Sequence, residues 1–395
     1  MGLTDIQYKD SEVGRIPLDW EVMRLYDCCK KITDGTHDTP KPVDIGVPYL
    51  TAIHVKQNVI DYKNCYFLPK EVHDIIYKRC NPEHGDVLMV NIGAGVATTA
   101  FIDVDYEFSL KNVALLKPKI NTLSGAYLHH YQSYAKQRIV STITSGGAQP
   151  FLSLKQIGEL QIALPTKSEQ TAIATALSDV DAMIDNLEKL IAKKHNIKQG
   201  VMQELLTGRK RLKGFSKDWK LKQVGKIAEV GRGRVISHRE INRVLESKYP
   251  VYSSQTSNNG IMGYLDTYDF DGEYITWTTD GVNAGKVFHR KGKFNCTNVC
   301  GTIKLKSDYA PFVALVLDKT TPNHVSRNLA NPKLMNDPMK RIEVFLPEFE
   351  EQKAIADILE SMDNDIQKLE QKLTKHKMIK QGMMQVLLTG KIRLV

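Results

Sequence analysis

The sequence predicts an α+β protein in which two similar mixed α/β globular domains are separated by two long helices that pair as an antiparallel coiled coil. A helical segment occurs twice, each copy has a heptad pattern, and the regions before the two copies share weaker motifs. The expected order is a globular domain at residues 1–162, a helix at 163–212, a second globular domain at 213–345 and a second helix at 346–395.

The helical segment that starts at Leu164 is repeated from Leu346 without a gap, and about half of the aligned positions are identical. Such agreement indicates an internal duplication. Each copy ends in the sequence LLTG, so Gly208 and Gly390 are predicted to terminate the two helices. Thr166 and Glu169 have the spacing of a capping box at the first helix start.

Apolar residues in each copy recur at alternating steps of four and three, which is the pattern of a helix-pairing seam. A helix from about residue 168 to 206 is roughly 58 Å long at 1.5 Å per residue. Beyond the seam the heptad slips, and Ile197 and Ile379 resume it out of phase, so we expect looser packing there. The seam residues are Ile173, Leu177, Val180, Ile184, Leu187 and Ile191 in the first copy and Ile355, Leu359, Met362, Ile366, Leu369 and Leu373 in the second.

The charges along the two helices favour an antiparallel pair. The early part of each copy is acidic and the later part is basic, so antiparallel packing sets acid against base. The same distribution also complements the dipole of each helix on its own. The acidic residues are Asp179, Asp181, Asp185, Glu188, Glu360, Asp363, Asp365 and Glu370, and the basic ones are Lys193, Lys194, Lys198, Lys375, Lys377 and Lys380.

The globular regions repeat more weakly. In each, a strand-like run leads through a polar, glycine-containing turn to a phenylalanine, and then to an asparagine-containing tripeptide before another strand pattern. Because the region after Gly208 resembles the N-terminal region, the C-terminal tail is predicted to end near the start of the chain. The matching motifs are 85–88 and 272–275, Phe101 and Phe288, 111–113 and 297–299, and Asp19-Trp20 and Asp218-Trp219.

The net charge of +9 is distributed unevenly. Residues 1–162 carry −1 and residues 213–345 carry +8, as expected if the second region binds a polyanion. A basic protein without such a partner is the alternative. Six scattered cysteines, no secretory leader and no apolar run of membrane-spanning length predict a cytoplasmic protein that does not bind a membrane.

The motif LP followed by EQ and AIA at each helix start, with LLTGKIRL closing the second helix, resembles the specificity subunits of Type I restriction-modification systems. The resemblance covers essentially the whole chain. The segment SGGAQP at residues 145–150 also looks like the exit from a target-recognition domain. The second domain departs from this pattern with NLANP at residues 328–332.

The resemblance implies that each globular domain is a target-recognition domain that reads one half of a split, asymmetric site in double-stranded DNA. It implies that the helices set the spacing and dock two methyltransferase subunits, which methylate adenine. S-adenosylmethionine, ATP and magnesium are then expected on partner subunits, including a restriction motor, with no cofactor in this chain.

Base reading requires side chains that donate and accept in fixed geometry, and the polar loops supply them. The alternative for each position is a solvated turn residue, because Gly, Asn and Ser favour turns for backbone reasons. The candidate DNA-binding residues are Thr36, His37, Lys56, Asn91, Arg138, Ser145 and Gln149 in the first domain and Arg232, Arg234, Ser253, Gln255, Thr256, Asn258, Asn259, Thr278, Asn283 and Arg327 in the second.

Motifs for catalysis are incomplete. The glycine-containing turn at residues 93–95 lacks the spacing of a nucleotide-binding loop, and 281–286 is one residue short of a phosphate loop. The adenine methyltransferase motif N-P-P-[FY] does not occur. Cys296 and Cys300 with His289 form only a fragment of a zinc site. We therefore expect a non-catalytic protein without a metal.

Two other classes of function are compatible with the sequence. A coiled-coil adaptor would use the helices alone, with globular domains that bind proteins. A self-contained methyltransferase or nuclease is disfavoured by the missing motifs, although residues 351–353 have a nuclease-like carboxylate and lysine spacing.

Overall fold

The computed structural model describes residues 7–143, 150–241, 248–326 and 331–394. The chain forms two compact units, one of residues 1–189 with 370–395 and the other of residues 190–369. Each unit therefore contains one globular region together with part of both long helices.

The first unit is built from short strands, four helices that lie entirely within it and parts of the two long helices. Its strands are β1 (Tyr8–Lys9), β2 (Ile16–Pro17), β3 (Glu21–Arg24), β4 (Cys29–Asp34), β5 (Val47–Leu50), β6 (Val55–Lys56), β7 (Val59–Ile60), β8 (Tyr66–Leu68), β9 (Val87–Met89), β10 (Thr99–Phe101), β11 (Ser109–Leu110), β12 (Ala114–Pro118) and β13 (Gln161–Leu164). Its helices are α1 (Leu25–Cys28), α2 (Lys70–Cys80), α3 (Gly125–Ile143), α4 (Leu154–Glu159) and the start of α5 (Lys167–Leu205).

An antiparallel sheet in the order β10-β9-β12-β4 lies at the centre of the first unit. A second sheet, β11-β5-β8, combines one parallel and one antiparallel pairing. The sheet residues Val87, Leu88 and Met89 are completely buried, and α3 covers one face through Tyr127 and Leu128. Burial on both faces explains why this strand reads as a continuous apolar run.

The second unit has fewer and longer strands. Its strands are β14 (Lys220–Gln223), β15 (Ala228–Arg232), β16 (Tyr249–Tyr252), β17 (Ile261–Leu265), β18 (Phe270–Thr278), β19 (Val287–Cys296), β20 (Cys300–Leu305) and β21 (Glu343–Leu346). Its helices are α6 (Val224–Ile227), α7 (His238–Ile241), α8 (Ala310–Thr320), α9 (Asn336–Arg341) and the start of α10 (Phe349–Leu387).

A mixed sheet in the order β15-β20-β18-β19-β16-β17 forms the second unit, with β16 parallel to β19 and the other pairs antiparallel. Trp277 and Phe312 are completely buried between this sheet and α8. The strand-turn-strand motifs predicted at 272–288 and 85–101 are hairpins, formed by β18 with β19 and by β9 with β10.

The two units begin and end their globular regions in the same way. After Trp20, β3 leads into α1 and pairs with β13, the strand that precedes α5. After Trp219, β14 leads into α6 and pairs with β21, the strand that precedes α10. The weak repeat in the sequence therefore corresponds to a repeat of the fold.

The long helices α5 and α10 each have 39 residues and pair antiparallel within each unit. In the first unit, the Lys380 ammonium lies 2.5 Å from Asp181. In the second unit, Lys198 pairs with Asp363. These positions are equivalent in the duplicated sequence. The predicted antiparallel pairing of acidic and basic parts is confirmed.

The structure places every seam residue in a buried or half-buried position, while most positions between them are exposed. Beyond the seam, Ile197 and Ile379 are 46% and 41% exposed. The change in exposure coincides with the slip in the heptad pattern. Ile173, Leu177, Leu187, Ile355, Leu359 and Ile366 are buried, and Val180, Ile184, Ile191, Met362, Leu369 and Leu373 are half-buried.

The C-terminal tail closes on the start of α5 in the first unit. Arg393 holds the completely buried Glu169 through two bonds of 2.6 and 2.8 Å and also binds Asp19. The indole of Trp20 donates to the same Glu169 carboxylate at 3.3 Å. The described end of the tail thus contacts Asp19 in the N-terminal region, which agrees with the prediction.

The capping box predicted for α5 is only half right. The Glu169 amide does donate to the Thr166 hydroxyl at 3.3 Å. The Glu169 carboxylate, however, binds Arg393 and Trp20 instead of completing the box. A charge-assisted pair with a guanidinium is stronger than a bond to one backbone amide, which explains the difference.

The second unit repeats this arrangement. Arg211 holds the buried Glu351 through two bonds of 2.7 Å, and its guanidinium lies 5.9 Å from the centroid of the Trp219 ring. Gly208 and Gly390, which end the two helices, have φ values of 68° and 67°. Both glycines therefore have the left-handed conformation of a helix C-terminal stop.

A polar network joins α3 to the long helices in the first unit. His129 contacts Thr99 and Asn58, at 3.0 and 3.1 Å, and the His130 ring contacts the Ser178 hydroxyl at 3.0 Å. Both rings are buried. Burial lowers the pKa of His129 well below its ordinary 6.5 and that of His130 to about 3. Both rings are therefore neutral in the folded protein.

No helix within the described residues has an apolar stretch long and continuous enough to cross a bilayer.

We expect Arg393→Met to lower the free energy of unfolding by about 3–5 kcal/mol, because it leaves the Glu169 carboxylate buried without its cation. Urea unfolding followed by circular dichroism measures the change. The control is Lys189→Met, which removes an exposed pair with Asp185 and should cost under about 1 kcal/mol. Equal losses in the two variants would contradict the buried-pair account.

The two buried histidines predict a loss of stability in mild acid. The unfolded chain binds protons below about pH 6.5, whereas the folded His130 ring stays neutral down to about pH 3 and the pKa of His129 also lies well below its ordinary value, so acid in this range favours unfolding. Each ring contributes about 1.4 kcal/mol per pH unit. The double variant His129→Gln, His130→Gln should lose less stability between pH 6.5 and 4 than the wild type. His324→Gln, at an exposed position, should match the wild type.

Candidate nucleic-acid interface

A nearly identical turn follows the equivalent strands β9 and β18. The first turn comprises residues 90–98 and the second residues 278–286. The same backbone hydrogen bonds form in both turns, among them one that closes the turn and one inside it. The closing bonds run from Ala97 N to Val90 O and from Gly285 N to Thr278 O, and both are 2.8 Å long. The inner bonds run from Val96 N to Gly93 O at 3.0 Å and from Ala284 N to Gly281 O at 2.9 Å.

The segment that leaves each globular region is hydrogen-bonded to this turn. Gly93 donates to the Pro150 carbonyl at 2.9 Å, and Gly281 donates to the Pro332 carbonyl at 3.0 Å. Both glycines have φ near 90°, which favours glycine strongly. The turn and the exit segment therefore form one surface in each unit.

A second junction is also duplicated. Residue Thr36, after β4, forms a parallel bridge with Lys111, just before β12. Arg234, after β15, forms the same kind of bridge with Thr297, just before β20. The tripeptides 111–113 and 297–299 that repeat in the sequence thus lie at equivalent places.

The candidate residues of the first unit do not all face solvent. Thr36 and Asn91 are buried, and the Asn91 side-chain oxygen has no hydrogen-bond partner among the described residues. His37, Lys56 and Arg138 are exposed. His37 contacts Asn112 at 2.9 Å, Lys56 pairs with Asp61 at 2.9 Å, and Arg138 donates to the Val13 carbonyl at 3.2 Å.

In the second unit, Arg232 reaches the duplicated turn. Its guanidinium donates to the Thr279 hydroxyl at 3.2 Å and lies 3.5 Å from Asp280. Thr278 is buried and its hydroxyl donates to the Asn283 carbonyl. Val282 is 95% exposed, and Asn283 beside it is exposed. The burial of Thr278, like that of Thr36 and Asn91, favours a supporting role for these side chains.

Arg234 lies between two carboxylates. It donates to Asp269 at 3.0 Å and to Glu240 at 2.7 Å. The hydrogen bond to Glu240 is the main reason that the pKa of Arg234 is raised above its usual value. Much of the charge of Arg234 is therefore balanced within the second unit.

The polar loop at residues 253–260 connects β16 to β17. Ser253 lies 3.2 Å from the Thr297 hydroxyl, and Gln255 donates to the Ile261 carbonyl. Thr256, Asn258 and Asn259 are exposed, and both asparagines have left-handed backbone angles, with φ of 48° and 52°. The loop therefore presents these three side chains outward. The remaining candidates, Ser145, Gln149 and Arg327, lie outside the described residues.

Sequence reasoning overlooked Arg290 on β19. This residue is only 4% exposed, although it is an arginine. The sequence does contain a signal for its burial. Arg290 lies two residues after Phe288 and four before Phe294, and because side chains alternate along a strand, this spacing puts its cation on the same face as the two aromatic rings. Asp280 was also overlooked, although it lies within 3.6 Å of both Arg232 and Lys333.

In the part of the chain that the structure describes, His, Cys, Asp and Glu side chains form no group of three or more that could hold a metal ion. The Sγ atoms of Cys296 and Cys300 lie 3.5 Å apart and are packed among aromatic side chains. His289 contacts Glu273 at 2.8 Å instead of either thiol.

The model of the Type I restriction modification DNA specificity domain matches residues 17–196 and 216–376, which together make up most of the chain. The chain belongs to this family. Its members are specificity subunits, which are the non-catalytic components of Type I systems, so this chain is not an enzyme.

Specificity subunits from two organisms are similar to this chain. A putative type I specificity subunit from Mycoplasma pneumoniae is 36% identical over 227 residues, covering 55% of this chain and 81% of the relative. The putative MjaX specificity subunit from Methanocaldococcus jannaschii is 26% identical, covering 98% of this chain and 96% of the relative.

The crystal structure of an S subunit from a Type I system of M. genitalium aligns with a TM-score of 0.67 at 16% identity, and the alignment covers 98% of both chains. This similarity shows the fold, with its two mixed α/β domains and its long helices.

Asp280 neutralises part of the charge beside the duplicated turn, so Asp280→Asn should release Arg232 and Lys333. We expect tighter binding to non-specific duplex DNA and a plot of log affinity against log salt that is steeper by roughly one to two. Fluorescence anisotropy at several salt concentrations measures both. Asp337→Asn, which removes an exposed carboxylate that pairs with Lys340, is the matched control. An unchanged slope in Asp280→Asn would contradict this placement of the cations.

Proposed function

We propose that this specificity subunit reads a bipartite, asymmetric target in double-stranded DNA and directs two adenine methyltransferase subunits, and a restriction subunit, to it. The globular domains at residues 1–162 and 213–345 read one half-site each. The helical segments at 163–212 and 346–395 connect them. The observation that carries this proposal is the duplicated turn with its exit segment, which has one backbone geometry and different side chains in the two units.

The difference in side chains supports two different half-sites. At equivalent positions that are not buried, the first turn has Ile92, Ala94 and Gly95, and the second has Asp280, Val282 and Asn283. Base discrimination depends on the donors and acceptors that side chains present, whereas the backbone only positions them. Two such surfaces read two different sequences, so the combined target is not a palindrome.

The charge of the second domain supports a nucleic-acid partner. Residues 213–345 carry +8, whereas residues 1–162 carry −1. Phosphate contacts supply most of the sequence-independent affinity for DNA. The second domain therefore contributes more to overall affinity, and the first relies more on contacts to bases and on partner subunits.

The duplicated helices support two copies of one partner. Because the ends of α5 and α10 are equivalent in sequence and in their Arg–Glu contacts, a methyltransferase subunit that recognises one end also recognises the other. A protein chain whose structure was solved in a study of complex assembly of the type I R-M system aligns with this chain with a TM-score of 0.55 at 12% identity. In the proposed complex, S-adenosylmethionine, ATP and magnesium bind to the partner subunits.

A coiled-coil adaptor with protein-binding domains is the alternative function. It predicts that affinity for duplex DNA is absent or does not depend on salt. DNA binding predicts a linear fall of log affinity with log salt concentration.

The proposed spacing role of the helices predicts the effect of shortening them. Deleting seven residues from each, 187–193 and 368–374, removes one heptad and about 10 Å of helix, which corresponds to about three base pairs. The methylated motif should keep both half-sequences and have a shorter gap between them. Methylation mapping in a strain that carries only the shortened gene measures the motif.

The matched control deletes no residues but replaces Met183 and Met378, two exposed methionines of the long helices, with Leu. This variant should give the original motif. A change in the half-sequences of the shortened variant, with an unchanged gap, would contradict the spacing role.

A further inference from the structure

The guanidinium of Arg290 is buried beneath the loop at residues 253–260. It lies between two aromatic rings, 3.7 Å from the centroid of Tyr252 and 4.4 Å from that of Phe288. Its Nε donates to the Thr276 hydroxyl at 3.3 Å, and its Nη2 donates to the Asn259 carbonyl at 2.8 Å. The planar group thus connects the sheet to the tip of the loop.

The partners of Arg290 among the described residues are two rings and two neutral oxygens, with no carboxylate. Burial lowers the pKa of Arg290 below its ordinary 12.5, but an arginine remains protonated in proteins. A buried cation without a counter-ion costs stability. A turn that only connects two strands does not require such a group.

The loop is shaped to accept this contact. Gly260 has φ of 80°, and a Cβ at this position would lie 3.0 Å from Nη2 of Arg290 and 3.3 Å from the Gln255 carbonyl. Asn258 and Asn259, directly before it, both have left-handed angles and exposed side chains. The conformation of the tip is therefore fixed from below while its two amides face outward.

We propose that Asn258 and Asn259 form a base-reading site of the second domain in addition to the turn at 278–286, that the base they recognise is adenine, and that Arg290 is the residue that positions them. This inference rests on the proposed function, namely that the second domain reads DNA. An asparagine amide pairs with the N6 and N7 atoms of adenine in the major groove through one donor and one acceptor. Such a pairing requires a rigid side-chain origin, which Arg290 provides.

The test is selection of bound duplexes from a randomised DNA library by the full-length chain, followed by sequencing. The wild type should select two half-sites. Asn258→Ala and Asn259→Ala should each lose the preference for an A·T pair in the same half-site. Affinity for the wild-type target should fall roughly 5- to 150-fold. The other half-site should be unchanged.

Arg290→Lys tests the positioning role, because lysine keeps the charge but lacks the planar group that spans Thr276 and Asn259. The preference should broaden at the same A·T positions, with the rest of that half-site retained. Lys293→Met, a loss of charge at an exposed position of the same strand, should select the wild-type target, as should Asn64→Ala in the first domain.

Three results would overturn the inference. The asparagine variants would select the wild-type target, or the positions they lose would be G·C pairs, or Arg290→Lys would lose the whole half-site, as expected for a purely structural role. Failure of the proposed function has a different signature, because the wild type itself would then select no sequence.

Discussion

The antiparallel pairing of two copies of one helix is the constraint on which the rest of the structure depends. Because the copies are alike and run in opposite directions, the acidic start of each helix lies against the basic end of the other. A contact between residues that both copies share then occurs twice. The Lys380–Asp181 pair of the first unit is repeated as Lys198–Asp363 in the second. For the same reason, the ion pair between an arginine and a buried glutamate is also formed twice, as Arg393–Glu169 and as Arg211–Glu351.

These two ion pairs stabilise the contacts between the ends of the long helices. Glu169 and Glu351 are both buried and each is held by an arginine that follows the end of the other long helix. A buried carboxylate without its cation lowers stability, so each ion pair holds the end of one long helix against the start of the other. Trp20 and Trp219 lie against these pairs and directly precede β3 and β14, so each ion pair is connected to a strand of its globular region.

The duplicated turns show how one backbone frame carries different side chains. The backbone bonds of the turns at 90–98 and 278–286 match closely, while their side chains differ. In the proposed function, this separates backbone geometry from base discrimination, since one part of the turn holds its position while its side chains change.

The long helices, their direction and the repeated hairpins could be predicted because periodicity, charge order and internal repeats are properties of the sequence itself. The partner of Glu169 could not, because Arg393 is 224 residues away and competes with the local capping bond only in the folded protein. The burial of Thr36, Asn91 and Thr278 was missed for a related reason. Polarity marks a residue as part of a turn but does not determine which side of the turn it faces.

The role of Arg290 was missed because a charged residue in a basic segment is most simply interpreted as exposed. Only the neighbouring strands and rings show that it is enclosed. The candidate site is thus predictable at the level of loops, whereas the division of each loop into exposed and supporting side chains requires the tertiary structure.

The most direct test of the account is a long-read methylation map of the host genome with and without this gene. The account predicts that adenine methylation disappears at one split, asymmetric motif and is otherwise unchanged. An unchanged map, with the partner methyltransferase shown to be expressed, would contradict the assignment of this chain as the subunit that chooses the target.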